Sequence, residues 1–188
     1  MTYKHVILDR DGVLNREAQG AGYVLEPTQF FWLPGALEAL AMLRRAGIHL
    51  SVATNQSGVG RGLMTLAQLE AVHERMRDEA ARHGGALDAV LFCPHAPDDG
   101  CVCRKPAPGL IQQALARSGF TAAETLVIGD DTRDLEAATR AGVQAALVRT
   151  GKGRKTEALL PDGADFPTYD DLPQLARAIL GRETEIVG

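Results

Sequence analysis

The chain has 188 residues, 45% of them hydrophobic and 23% charged, which is enough to bury one core and too short for two ordinary domains. Its net charge of −4 gives no overall attraction to nucleic acid or to an anionic membrane, and its apolar runs are far shorter than a membrane span. The N-terminus, MTYKHVILD, lacks the pattern of a secretory signal, so the expectation is a soluble cytoplasmic protein of one domain, monomeric by default, whose partner is a small molecule.

The first apolar run, HVILD (5–9), predicts a buried strand and is followed by DRDGV (9–13) and a loop, NREAQGAGYV (15–24). Trp32, with Phe30 and Phe31, reads as core packing and not as a stacking platform. ALEALAMLRRAG (36–47) has helical spacing, and IHLSVAT (48–54) predicts the second strand. Thr65 with Gln68 has the capping-box spacing of a helix start, and the helical pattern runs over 65–84. LDAVLF (87–92) predicts a third strand and PGLIQQALARSG (108–119) a third helix, while Thr121 with Glu124 repeats the capping-box spacing. TLVIGD (125–130), TRDLEAATRAG (132–142) and VQAALVR (143–149) then predict strand, helix and strand. GKGRKTEALLPDGAD (151–165) reads as a surface connection before a last helix near 172–180. Each of the four earlier helical patterns ends on a glycine, Gly47, Gly84, Gly119 or Gly142, as a left-handed C-terminal residue requires. This alternation predicts a three-layer α/β/α, doubly wound domain with a mostly parallel sheet.

The cysteines, Cys93, Cys101 and Cys103, fall within eleven residues and are odd in number, which argues against a disulfide framework and toward a metal site. Cys93-x-His95 and Cys101-x-Cys103 suit a closed, structural, tetrahedral Zn²⁺ site. The loop 93–103 contains Pro94, Pro97 and Gly100 and has little core of its own, so a metal staple would fix Arg104 and Lys105, which follow it directly. His5, His49, His73 and His83 lie in strand or helix patterns and read as packing or surface residues.

Ligands of open parallel sheets gather beyond the carboxyl ends of the strands. There the sequence delivers Asp9 and Asp11, Thr54 and Asn55, Arg104 and Lys105, and Asp130 and Asp131. Side chains alternate along a strand, so Asp9 and Asp11 meet only if the chain turns straight after Asp9, which Gly12 permits. One carboxylate could then attack phosphorus while the other shuttles the proton of the leaving oxygen. The repulsion between that attacking carboxylate and the phosphoryl group calls for a hard cation and a fixed ammonium. These roles fall to Mg²⁺ on Asp9, Asp130 and the Asp11 carbonyl, and to Lys105.

DRDGV (9–13), ATNQSG (53–58), RKP (104–106) and GDDTRD (129–134) resemble, in order, the four motifs of the haloacid dehalogenase superfamily. With the CPH and CxCRKP segments and a late RTGK (149–152), the chain is most similar to the small histidinol-phosphate and heptose-bisphosphate phosphatases. The resemblance implies Asp9 as nucleophile, Asp11 as general acid and base, Thr54 and Lys105 on the transferring phosphoryl group, and Asp130 completing the magnesium site. It implies a phosphorylated sugar substrate on the route to the heptose of lipopolysaccharide, with histidinol phosphate as the alternative. It also places Asn15, Gly22 and Tyr23 near the substrate, with Gln56, Ser57 and Gly58 in a second lining beside Asn55.

The stretches after the first two motifs are short, so no large cap is expected over the site. Arg61, Arg104, Lys152, Arg154 and Lys155 are rim cations among which a second, unhydrolysed phosphate could sit. Asp131 stands where some heptose-bisphosphate phosphatases carry lysine, and Asp134 either orients Lys105 or caps the helix beginning near Thr132. Two other readings are a zinc-stabilised binding module without catalysis, against which the full catalytic set stands, and a nucleic-acid end phosphatase, against which the charge stands.

Overall fold

The computed structural model describes residues 3–18, 22–161 and 163–184. Strands β1 (His5–Leu8), β2 (His49–Asn55), β3 (Ala89–Cys93), β4 (Thr125–Gly129), β5 (Gln144–Val148) and β6 (Thr168–Tyr169) form a six-stranded parallel sheet ordered β3-β2-β1-β4-β5-β6. The helices are α1 (Ala36–Arg45), α2 (Leu66–Arg82), α3 (Gly109–Ser118), α4 (Thr132–Arg140), α5 (Gly153–Leu159) and α6 (Leu172–Thr184). The expected three-layer α/β architecture is found. Among the described residues no helix is long and apolar enough to cross a membrane.

Alternation along the strands builds two cores, one on each face of the sheet. Val6 and Leu8 of β1 join Leu50, Val52, Leu126 and Ile128 under α1, α2 and α6. Ile7 points the other way, with Ala53, Leu91 and Val127, under α3 and α4. Every residue of β1 is buried, as a central strand covered on both faces must be. The strand order reverses between β1 and β4, and such a switch point opens a crevice at the carboxyl ends of the two strands.

Local chemistry sets most boundaries. Thr65 and Gln68 form the expected capping box at the start of α2, and Gly47, Gly84, Gly119 and Gly142 all have φ between 71° and 82°. Thr121 and Glu124 also form a capping box, but it caps a single 3-10 turn leading into β4, not a long helix. The segment expected to be a surface connection contains α5 instead. This helix is held by tertiary bonds that no local pattern encodes: Lys152 N donates to Asp130 Oδ2 (2.8 Å) and Thr156 Oγ1 to the Asp130 carbonyl (2.7 Å). Phe30 is buried as expected, whereas Phe31 is 59% exposed. Trp32 packs edge-on against Phe30 and donates its indole N–H to Glu79.

Candidate active site

The chain turns immediately after β1. Asp9 N still donates to Ile128 of β4 (2.9 Å), and then Leu14 and Asn15 both donate back to the Arg10 carbonyl. Gly12 sits at the crest with φ 89°, and a Cβ there would lie 2.0 Å from Asp130 Oδ2, so only glycine lets this backbone approach that carboxylate. The turn swings Asp11 back toward Asp9, as its spacing required.

Asp11 is gripped by donors. Arg10 Nη2 reaches both of its oxygens (3.1 and 2.9 Å), Asn15 Nδ2 reaches Oδ1 (2.9 Å) and Gln56 Nε2 reaches Oδ2 (2.8 Å). Burial opposes ionisation here, yet the Arg10 charge and these hydrogen bonds hold the Asp11 carboxyl below its ordinary range.

Lys105 enters from the loop before α3 and is 4% exposed. Its ammonium meets Asp9 Oδ1 (2.9 Å), Asp134 Oδ1 (2.6 Å) and the Ala53 carbonyl (2.7 Å). Although burial opposes the charge, Asp134 and Asp9 raise the Lys105 pKa, so the ammonium stays charged. Asn55, at the end of β2, clamps the Lys105 backbone from both sides, donating to its carbonyl (2.9 Å) and accepting from its N–H (3.0 Å).

Asp9, Asp130 and Asp134 bring carboxylate oxygens within 4.8 Å of one another. Burial, and then the charges of Asp9 and Asp134, push the Asp130 carboxyl up to about 8; burial is also the main cause that pushes Asp9 up to about 6. Lys105 pairs with Asp9 and Asp134, whereas no cationic side chain pairs with Asp130 among the described residues, and backbone crowds Asp130 on two sides, since a Cβ on Gly151 would lie 2.1 Å from its Oδ2. This is a cradle for a hard, oxygen-seeking cation. Asp134 does both things open to it, since its other oxygen accepts from Asp131 N (3.1 Å) and closes the capping box of α4.

A pocket of about 260 Å³ opens over these groups. Of the residues expected at the site, Asp9, Asp11, Gly22, Tyr23, Thr54, Asn55, Ser57, Arg104, Lys105 and Asp130 line it. Tyr23 and Ser57 share a hydroxyl hydrogen bond across its wall (2.9 Å). Asn15 and Gln56 do not line it; they are 0% and 1% exposed and stand behind Asp11. Residues 19–21 of the first lining loop lie outside the described residues. Lys152 lines the pocket, paired with Glu17 (3.0 Å) and Asp131 (3.5 Å), whereas Arg61, Arg154 and Lys155 do not. Sequence reasoning passed over Arg133, which lines the pocket and forks onto Asp131 from the first turn of α4 (3.0 and 2.7 Å). An arginine two residues after an acidic N-cap was the available signal.

Next to this rim, the four ligand atoms of Cys93, His95, Cys101 and Cys103 gather within 4.8 Å of one another. Their contacts run from 3.2 to 3.6 Å. A tetrahedron built on Zn–S bonds of about 2.3 Å has edges of about 3.8 Å, so the quartet is nearly spaced for such an ion.

The family model for HAD-hydrolase-like proteins matches residues 102–175. The chain is 44% identical over 179 residues to the D-glycero-beta-D-manno-heptose-1,7-bisphosphate 7-phosphatase of Bordetella bronchiseptica, covering 94% of this chain and 98% of that one. It is 42% identical over 181 residues to the Pseudomonas aeruginosa enzyme of the same name, covering 96% and 99%. The crystal structure of D,D-heptose 1,7-bisphosphate phosphatase from B. bronchiseptica, complexed with magnesium and phosphate, superposes with a TM-score of 0.89 at 44% identity over 95% of this chain and 99% of that one.

Proposed function

The chain belongs to the family of D-glycero-beta-D-manno-heptose-1,7-bisphosphate 7-phosphatases, which are haloacid-dehalogenase-like hydrolases, and from that premise we propose how its residues remove the 7-phosphate of a heptose bisphosphate. The observation that carries the reading is the floor of the pocket, where Asp9 lies 2.9 Å from the buried Lys105 ammonium and the donor-held Asp11 stands beside it.

In the first half-reaction an oxygen of Asp9 bonds to phosphorus as the ester P–O bond breaks, and Asp11, which takes up a proton as the phosphate dianion arriving beside it disfavours its charged form, gives that proton to the departing sugar oxygen. In the second, water attacks the aspartyl phosphate, Asp11 takes the water's proton, and inorganic phosphate leaves Asp9 free. Lys105 and the Thr54 hydroxyl bind the phosphoryl oxygens; Asn55 fixes the Lys105 backbone, and Asp134 fixes its ammonium. Asp9, Asp130 and the Asp11 carbonyl would hold Mg²⁺, which supplies positive charge against the phosphoryl oxygens. Cys93, His95, Cys101 and Cys103 would hold Zn²⁺, a closed structural ion that steadies the loop 93–103 and, through it, Arg104 and Lys105.

The second phosphate of the substrate goes to Arg104. Lys152 and Arg133 are already occupied by Glu17 and Asp131. Arg104, by contrast, lines the pocket and has no ion pair among the described residues, and an unpaired guanidinium so placed suits a dianion. On this reading the protein is a soluble cytoplasmic monomer acting on a small phosphorylated sugar. The test is turnover of heptose bisphosphate, fructose bisphosphate and histidinol phosphate in Mg²⁺, with Asp9→Asn as control. Heptose bisphosphate should be preferred, and near-normal turnover by Asp9→Asn would remove the covalent step.

A further inference from the structure

Arg10 has no part in the chemistry above, yet it heads the fully buried side chains by size and is 0% exposed. A guanidinium sealed between sheet and helix is expensive unless its partners are fixed. Its only ion pair among the described residues is with Asp11. Its Nη1 lies 3.2 Å from Nε2 of His73 on α2, and that imidazole is also 0% exposed and packs on Phe92 of β3. Guanidinium nitrogens only donate, so Nε2 of His73 must be the acceptor and the ring proton must sit on Nδ1. There it faces Glu70 at 3.9 Å.

We propose that Arg10, anchored by His73, is a positioning residue for the Asp11 carboxyl, setting the orientation from which Asp11 delivers and collects its proton. The guanidinium is planar and rigid, so fixing Nη1 on His73 fixes Nη2, which spans both Asp11 oxygens. The other two donors on Asp11 are not bound to it alone: Asn15 Nδ2 also reaches the Arg16 carbonyl (2.8 Å), and Gln56 Nε2 also reaches Thr54 Oγ1 (2.9 Å). Each can release Asp11 and keep a partner, whereas Arg10 Nη2 has no other acceptor in hydrogen-bond reach among the described residues. Arg10 is therefore the constant contact as Asp11 turns toward the reacting oxygen. Burial, together with the Arg10 charge, keeps the His73 imidazole neutral and able to accept.

This rests on the reading of Asp11 as general acid and base, and leaving-group chemistry separates the two. An alkyl phosphate needs the Asp11 proton to expel its oxygen, while 2,4-dinitrophenyl phosphate does not. The variants are Arg10→Lys, which keeps the charge and loses the fork, and His73→Phe, which keeps the volume and loses the acceptor; Asp11→Asn is the reference. Both variants should lower kcat on the alkyl ester at least about tenfold with KM within about twofold, while the first burst of dinitrophenolate stays within about threefold of the parent enzyme. His73→Gln, which restores an acceptor, should recover more of kcat than His73→Phe. Equal losses on both esters would make Arg10 and His73 merely structural and overturn the proposal, as would no loss on either. If Asp11→Asn itself shows no leaving-group dependence, the acid–base reading falls and takes the proposal with it; if only Asp11→Asn shows it, the proposal alone falls.

Discussion

Asp134 Oδ1 lies 2.6 Å from Lys105 Nζ, and both side chains are almost completely shielded from water. Removing Asp134 leaves the buried ammonium with Asp9 as its one remaining carboxylate partner among the described residues. Asp134→Ala should therefore destabilise the protein, by less than the ~3–5 kcal/mol that a wholly unpaired buried charge costs, measured by chemical denaturation. Asp134→Asn, which retains a side chain able to cap α4, should unfold at higher denaturant concentration than Asp134→Ala yet still lose turnover, because Lys105 would be drawn wholly onto Asp9. A catalytically normal Asp134→Asn enzyme would show that Lys105 needs no such orientation.

Much of this was legible in the sequence. The four motifs fall at strand ends because ligand groups in a parallel sheet can be delivered only there, and the turn at Gly12 followed from the need to bring Asp11 beside Asp9. Residues that act at one remove were harder to see. Gln56 and Asn15 were expected to touch substrate but lie behind Asp11, because whether a loop side chain faces the pocket or the core depends on the neighbouring strand and not on its own spacing. Arg10 and His73 are 63 residues apart and meet only when α2 packs on the sheet. The helix α5 was missed for the same reason, since it is secured by Asp130 and not by its own composition.

The cysteine quartet makes a prediction that is independent of turnover. Elemental analysis of purified protein should find about one tightly held Zn²⁺ per chain, distinct from exchangeable Mg²⁺. Burial pushes the Cys93 thiol up to about 12, so an ion there must displace protons and its affinity should fall as pH drops. Cys101→Ala should lower activity by displacing Arg104 and Lys105, and full activity in zinc-free protein would remove the structural role.

At the opposite end of the sheet, His5 is 0% exposed and its ring nitrogens meet Ser51 (2.9 Å), Ser118 and Thr125 (both 3.3 Å). Burial, then the neighbouring His49, lower its pKa to about 4 from 6.5. The unfolded chain thus binds the proton more readily, so the stability that neutral His5 confers is complete above about pH 6.5 and is lost as the pH falls toward 4. Asp9 and Asp130, whose values are raised, titrate in the opposite sense, so the comparison must be with His5→Gln. Between pH 7 and pH 5 the parent protein should lose roughly 5 °C more in melting temperature than His5→Gln. Parallel curves would mean that His5 does not carry the effect.

Substrate choice is the most demanding test of the pocket. A bisphosphate presents Arg104 with a second dianion, whereas histidinol phosphate presents an amine that the guanidinium repels. Arg104 lines the pocket and has no ion pair among the described residues, so a phosphate there should add to binding without breaking an existing ion pair. Heptose bisphosphate should therefore exceed histidinol phosphate by orders of magnitude in kcat/KM. Arg104→Ala should erode that ratio by roughly ten- to a hundredfold, the equivalent of about 1.5–3 kcal/mol for a charge-assisted phosphate contact. Lys152→Ala should cost less, because the Lys152 ammonium must first leave Glu17 and Asp131 before it can meet a phosphate. If histidinol phosphate is turned over as well as the bisphosphate, the assignment of Arg104 fails, while the chemistry of Asp9 and Asp11 is untouched.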